Sequence, residues 1–215
     1  GRLTLENFSQ LKFLEISGTK LTGATISKST LTECKLIKNT SMKEIEITDC
    51  SNLQFMLVTP DPNPPKYDYN RLEKVTVLNC ALLETIDLSG MSDRPNAFKS
   101  EEFFGSLKSL TINKCTSLIN INCAGTALKE IQIDSPENIK KLNAQYGYSL
   151  STLEPFINLE EFIGNIAWGN LEKLSPTVKT LVASFNSGIE NLDLSDRTSL
   201  ENLVLFDSNI YTLVL

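Results

Sequence analysis

Histidine is absent from the 215 residues, which removes the commonest general base at neutral pH and the commonest zinc ligand. No C-x-x-C pair occurs among the five cysteines, so the usual spacing for a redox dithiol or a structural metal is missing. There is no G-x-S-x-G elbow, no P-loop and no glycine-rich dinucleotide turn. A Ser or Cys nucleophile would have to rely on a lysine or carboxylate base, and none stands at a diagnostic spacing. Apolar runs stay well below the ~18 residues needed to cross a bilayer. Basic residues are outnumbered 20 to 26, giving a net charge of −6. That balance argues against a nucleic-acid backbone or an anionic membrane surface as partner. The expectation is a chain with no catalytic activity, no cofactor and no resident metal.

What the chain has instead is a rhythm. The pattern L-x-x-L-x-L-x-x-[C/N], with other aliphatics allowed at the L sites, returns about every eleven residues. Leu72, Val75, Val77 and Cys80 make one copy, Leu107, Leu110, Ile112 and Cys115 another, and Leu128, Ile131 and Ile133 a third. Inside each copy apolar and polar residues alternate, as in Glu44-Ile45-Glu46-Ile47 and Lys74-Val75-Thr76-Val77, which is strand periodicity. Threonine, valine and isoleucine suit that conformation. Serine, asparagine, aspartate and glycine fill the short turns between copies. Self-similarity at a short fixed period predicts a solenoid, in which no unit buries its apolar face alone.

The register also assigns the cysteines. Cys50, Cys80 and Cys115 fall three residues after the last aliphatic of a unit, where Asn39 and Asn186 stand in other units. Cys34 takes the second aliphatic position and Cys123 the third. All five are therefore expected to point inward as small apolar side chains. The amide of Asn39 should bond turn backbone, so the triplets Asn7-Phe8-Ser9 and Asn39-Thr40-Ser41 are not read as glycosylation sites.

Units pair into longer repeats of about 21 or 22 residues. First members start at Leu21, Met42, Leu72, Leu107, Leu128, Leu159, Val178 and Leu200. Second members start at Leu31, Leu53, Leu83, Leu118, Ile139, Leu171, Ile189 and Ile210. An odd copy, Leu11-Leu14-Ile16, precedes them. The pairing predicts two sets of short parallel strands on the two sides of a narrow core. Several second members read L-x-L-S, as in Ile86-Asp87-Leu88-Ser89.

Three insertions, 60–70, 90–106 and 145–158, each follow a second-member strand and should leave one edge of the solenoid. Short helices are expected over Lys99–Phe104 and Ser149–Phe156. Residues 1–215 are read as one domain belonging to a longer native chain. The opening Gly1-Arg2-Leu3 lacks methionine, and neither end carries the polar cap a solenoid terminus needs.

These units resemble leucine-rich repeats, whose signature is L-x-x-L-x-L-x-x-N/C-x-L, over nearly the whole chain outside the insertions. The short unit and frequent ladder cysteine are similar to the secreted or cell-surface leucine-rich repeat proteins of gut Bacteroidetes. The resemblance implies a right-handed solenoid of extracytoplasmic, bacterial origin used for recognition.

Candidate chemistry lies on the outside. The carboxylates alternating along strands share one solvated face and lack the contrasting environments of an acid/base pair. Asp61, Asn63, Asp68 and Asn70 offer oxygens for calcium, but no glycine and distal glutamate complete a loop, and turns around prolines account for them. The outward first-member positions form the expected binding face: Glu130, Gln132 and Asp134, then Thr180 and Val182, then Asn202, Val204 and Phe206. Apolar Val182, Val204 and Phe206 are either a contact site or packed beneath further C-terminal chain. Tyr67, Tyr69, Tyr146 and Tyr148 in the insertions offer contact area at low entropy cost. Two functions stay open, a protein-binding module using the strand face and loop rim, or a glycan-binding surface protein using these tyrosines.

Overall fold

The computed structural model describes residues 1–59, 71–89, 106–145, 150–165, 173–184, 190–206 and 210–215. The chain is mostly β and coils into a parallel β-solenoid of about eight turns. One wall consists of β1 (Arg2–Glu6), β3 (Gly23–Ser27), β5 (Glu44–Thr48), β7 (Lys74–Leu78), β9 (Ser109–Asn113) and β11 (Gln132–Ile133), paired in that order. The facing wall begins with β2 (Phe13–Ser17), β4 (Glu33–Ile37), β6 (Phe55–Thr59), β8 (Thr85–Asp87), β10 (Asn120–Asn122) and β12 (Lys141–Ala144). It continues through β13 (Glu161–Gly164), β14 (Thr180–Ser184) and β16 (Asn202–Phe206) as a nine-stranded sheet. A separate pair, β15 (Asn191–Asp193) and β17 (Thr212–Val214), completes the assignment. Every pairing is parallel, and aliphatic stacks on aliphatic: Ala24, Ile45, Val75 and Leu110 form one inward column in register.

The corners explain the ladder position. Asn7, Lys28, Asp49, Asn79 and Lys114 each follow a strand of the six-stranded wall with φ between 48° and 62°. This left-handed residue reverses the chain inward and turns the next side chain, Ser29, Cys50, Cys80 or Cys115, into the core. The corner amide bonds the next coil, as Lys28 N to Thr48 O at 3.1 Å and Asp49 N to Leu78 O at 3.0 Å. The inward group then donates back to the strand end: Ser29 Oγ to Ser27 O at 3.0 Å, Cys50 Sγ to Thr48 O at 3.5 Å, Cys80 Sγ to Leu78 O at 3.4 Å. A small donor is what this site accepts, which is why serine and cysteine interchange there. On the facing wall Asn39 is 6% exposed. Its Oδ1 accepts from Thr19 N at 3.0 Å and its Nδ2 donates to Ile16 O at 2.8 Å, so the amide does bind turn backbone.

The L-x-L-S motif has a local cause as well. Asp87 Oδ1 accepts from Ser89 N at 3.0 Å, and Asp193 Oδ1 from Ser195 N at 2.9 Å. Asn122 and Asn143 do the same for Ala124 N and Gln145 N. These side chains close the turn that follows their strand. Core volume is balanced between columns. Phe162, among the largest fully buried side chains, lies in the strand where Gly164 sits between Ala144 and Ala183. A Cβ on Gly164 would meet Phe162 Cζ at 2.9 Å.

Two expectations need correction. The alternation of first and second members holds through β12, but β13, β14 and β16, read as first members, join the wall of second members. The slip arises within 145–158, where Leu150, Leu153 and Phe156 are buried and supply the missing half-coil. No helix forms over the described part, 150–156, where Phe156 N closes a turn on Leu153 O at 3.0 Å. Residues 60–70 and 90–105, including the helix expected over Lys99–Phe104, lie outside the described residues. The strands that precede the three insertions, β6, β8 and β12, do belong to one wall.

Asn39→Ala should lower stability by about 1–3 kcal/mol, because Thr19 N–H and Ile16 C=O lose their partner in a buried corner. Urea denaturation read by circular dichroism measures it, and Asn39→Ser should recover only part.

Candidate interaction surface

The expected binding residues divide between the two walls. Glu130, Gln132 and Asp134 lie at the last strand of the six-stranded wall, and all three are exposed. Thr180, Val182, Asn202, Val204 and Phe206 lie on β14 and β16 of the nine-stranded wall. Packed sheets sit ~10 Å apart face to face with the core between them, so one flat partner cannot cover both groups. The grouping into a single face is therefore replaced by two surfaces. Tyr67, Tyr69, Tyr146 and Tyr148 lie outside the described residues.

The outer face of the six-stranded wall is polar and ties itself together. Arg2 crosses Gly23, where a Cβ would sit 2.5 Å from its Nη1, and reaches Glu44 at 3.5 Å. Thr111 Oγ1 donates to Gln132 Oε1 at 3.0 Å, and Asp134 Oδ2 accepts from Lys114 N at 2.8 Å. Gln132 and Asp134 thus already bind their own wall.

The nine-stranded wall differs. Ile163, Val182 and Val204 stack in register along one outward column, with Phe206 two residues beyond Val204. Val204 is 38% exposed and Phe206 49%. Thr180 and Asn202 form the neighbouring column, where Asn202 Nδ2 donates to Thr180 Oγ1 at 3.2 Å. Beside them runs a charged rail: Glu160 bonds Lys179 at 2.9 Å and Lys140 at 3.3 Å, and Lys141 pairs with Glu161 at 3.3 Å. The hydrogen bond from Lys179, and that from Lys140, hold the Glu160 carboxyl below its usual range. The strip is apolar on one side and salt-bridged on the other.

A second apolar group at the far end of this wall went unread in the sequence. Phe13, 48% exposed, and Phe55 flank Lys35, whose Nζ lies 5.1 Å and 5.9 Å from their ring centres. Lys35 also pairs with Glu33 at 2.9 Å. Outward positions in second-member strands, L-K-F-L and L-Q-F-M, carried the signal. The lysine covers these rings, whereas Val204 and Phe206 have no such lid among the described residues.

All five cysteines are free and buried, as the register requires. Burial pushes the Cys34 and Cys123 thiols up from 9.0 to about 12. Hydrogen bonds to Cys115 and Cys50, together with burial, push Cys80 up as well. The same contacts act the other way on the partners: the hydrogen bond with Cys80 lowers Cys50 to about 7 and also lowers Cys115. Cys34, Cys80 and Cys123, held protonated, are poor nucleophiles and poor ligands.

Below pH 9 the Cys34 and Cys123 thiols keep their protons both folded and unfolded, and their contribution is complete. Between pH 9 and pH 12 the unfolded chain ionises first, so stability falls as pH rises. The urea midpoint should drop across that window. A Cys34→Ala/Cys123→Ala variant, weaker at neutral pH by about 1–2 kcal/mol per lost side chain, should drop less steeply. The chain matches no protein-family model and no curated protein.

Proposed function

We propose that this chain is a non-catalytic binding module of the leucine-rich-repeat type, right-handed and extracytoplasmic, that docks a protein on the outer face of its nine-stranded wall. The observation that carries the reading is the apolar strip Ile163, Val182, Val204 and Phe206, outward-facing and in register on three consecutive strands. Apolar residues grouped on an exposed face, with a polar rim, have the anatomy of a docking interface. Flat strand faces present such residues without the entropy cost of ordering a loop. The absence of histidine and the burial of all five thiols support the non-catalytic part. Leucine-rich-repeat identity and extracytoplasmic placement rest on the repeat signature.

Affinity capture with a Val204→Ser/Phe206→Ser variant should lose a partner that the unaltered chain retains, a loss of about 2 kcal/mol or more if Phe206 is an anchor. Glu46→Ala, on the opposite wall, should keep that partner. Thermal unfolding of the Val204→Ser/Phe206→Ser variant should stay close to the parent, because both side chains point outward. Retention of the partner by the serine variant refutes the reading. A glycan-array signal lost on Tyr67→Ala or Tyr146→Ala would transfer the function to the inserted loops.

A further inference from the structure

Among the described residues the six-stranded wall ends at β11, while the facing wall runs on through β13, β14 and β16. Ser151 N donates to Lys129 O at 2.7 Å, and Leu150 forms one isolated bridge. Among the described residues the following coil meets β11 at Lys129, and it then turns at Leu153–Phe156. Among the described residues β11 pairs with β9 alone. Alternate residues of a strand direct their N–H and C=O to the same side. Asp134 N donates back toward β9, to Ile112 O at 3.3 Å, while Lys129 O faces the following coil. Ile131 and Ile133 share the parity of Lys129, so their backbone groups address the open side.

The side chains are uncovered in step. Ile131 and Ile133 are only partly buried, whereas Leu110 and Ile112, beneath them in the same columns, are 1% and 0% exposed. Beside them is a cavity of about 140 Å³ lined by Ile131, Ile133, Leu150 and Phe156, with Glu130 and Thr152 as polar members. That volume is well below the ~300–1,000 Å³ of small-molecule sites and close to the ~150 Å³ apolar cavity that takes one benzene ring. It suits a single apolar side chain. Charge supplies the rest. Glu130 and Glu137 have no ion-pair partner among the described residues, and Asp134 adds a third carboxylate, against Lys129 at the strand's start. By contrast Glu44, Glu160 and Glu161 are each matched to a cation.

We propose that the open edge of β11 receives an extended segment of a partner protein as an added strand. One aliphatic or aromatic side chain of that segment fills the cavity, and an adjoining lysine or arginine faces Glu130. Main-chain hydrogen bonds hold such a segment, and the cavity and the carboxylates select it. The site lies on the wall opposite Val204 and Phe206 and stands independently of that surface.

The probe is a phage-displayed library of random heptapeptides panned on the whole chain. Enriched peptides should carry Leu, Ile, Val or Phe beside Lys or Arg. A synthetic peptide of the enriched sequence should slow hydrogen exchange at the Ile131 and Ile133 amides by about tenfold or more and leave Val204 unchanged. Glu130→Lys, Thr152→Trp, and N-methylation of alternate peptide amides should each weaken its binding by about tenfold or more. The N-methyl arm alters the peptide alone and is immune to any folding defect in a variant. Panning that enriches no such sequence overturns the proposal. So does a peptide that tolerates Glu130→Lys and N-methylation, or one that protects Val204 in place of Ile133.

Discussion

Each coil of this protein is half of two interiors, and the inward columns must therefore superimpose from one coil to the next. Parallel strands hydrogen-bond at a fixed ~4.8 Å spacing, so a coil with the wrong circumference would misplace every inward side chain of its neighbours. The left-handed corner residue is the device that keeps circumference constant. It costs about 1–3 kcal/mol when the residue is not glycine, as at Lys28, Lys38 and Lys114. The corner hydrogen bond to the next coil and the inward Ser, Cys or Asn offset that cost. A polar residue that bonds the turn and an apolar residue that fills the column are thus parts of one requirement.

That requirement falls unequally on the two walls. Entry to each strand of the nine-stranded wall is tied to the coil before it by the same pair of amides: Thr32 N to Lys12 O, Gln54 N to Thr32 O, Glu84 N to Gln54 O, Ile119 N to Glu84 O. The series continues from Lys140 N to Ile119 O, Glu160 N to Lys140 O, Lys179 N to Glu160 O and Glu201 N to Lys179 O. It is unbroken over all nine strands. The insertions come after these strands, at the far corner, where extra chain can leave without disturbing an entry. β7 and β9 of the six-stranded wall follow the first two insertions, whereas after the third, 145–158, the next described strand, β13, joins the nine-stranded wall.

Strand positions, inward cysteines and the corner role of Asn39 were legible because each is set by spacing alone, and spacing survives in the sequence. The choice of wall for β13, β14 and β16 was not. Leu150, Leu153, Phe156 and Leu159 recur every three residues, a spacing that suits a helix better than a strand. With Pro155 beside Phe156, the chain resolves that stretch as consecutive turns whose apolar residues still reach the core. A unit built from turns carries no alternation, so counting strands misses it and every later unit changes sides. Val204 and Phe206 are exposed and Val182 half-buried, all on the outward side of their strands, because alternation within a strand is indifferent to which wall the strand joins. The cavity beside β11 left no mark in the sequence, since it exists through the failure of one coil to continue a ladder.

An interrupted ladder in mid-solenoid persists only if its loose backbone stays wet. A buried N–H or C=O without a partner costs about 1–3 kcal/mol, and several in a row would exceed the net stability of many domains. In contact with water the same groups cost little. The half-coil at Leu150–Phe156 keeps its aliphatic and aromatic side chains in the core while its backbone turns at Leu153–Phe156, and among the described residues no strand covers that side of β11. The arrangement trades a closed wall for a solvated edge with an apolar floor. The nine-stranded wall makes the opposite choice, a closed ladder whose outward side chains alone are available to a partner. One surface offers only side-chain fit and the other also main-chain pairing, so partners of the two would be selected by different chemistry.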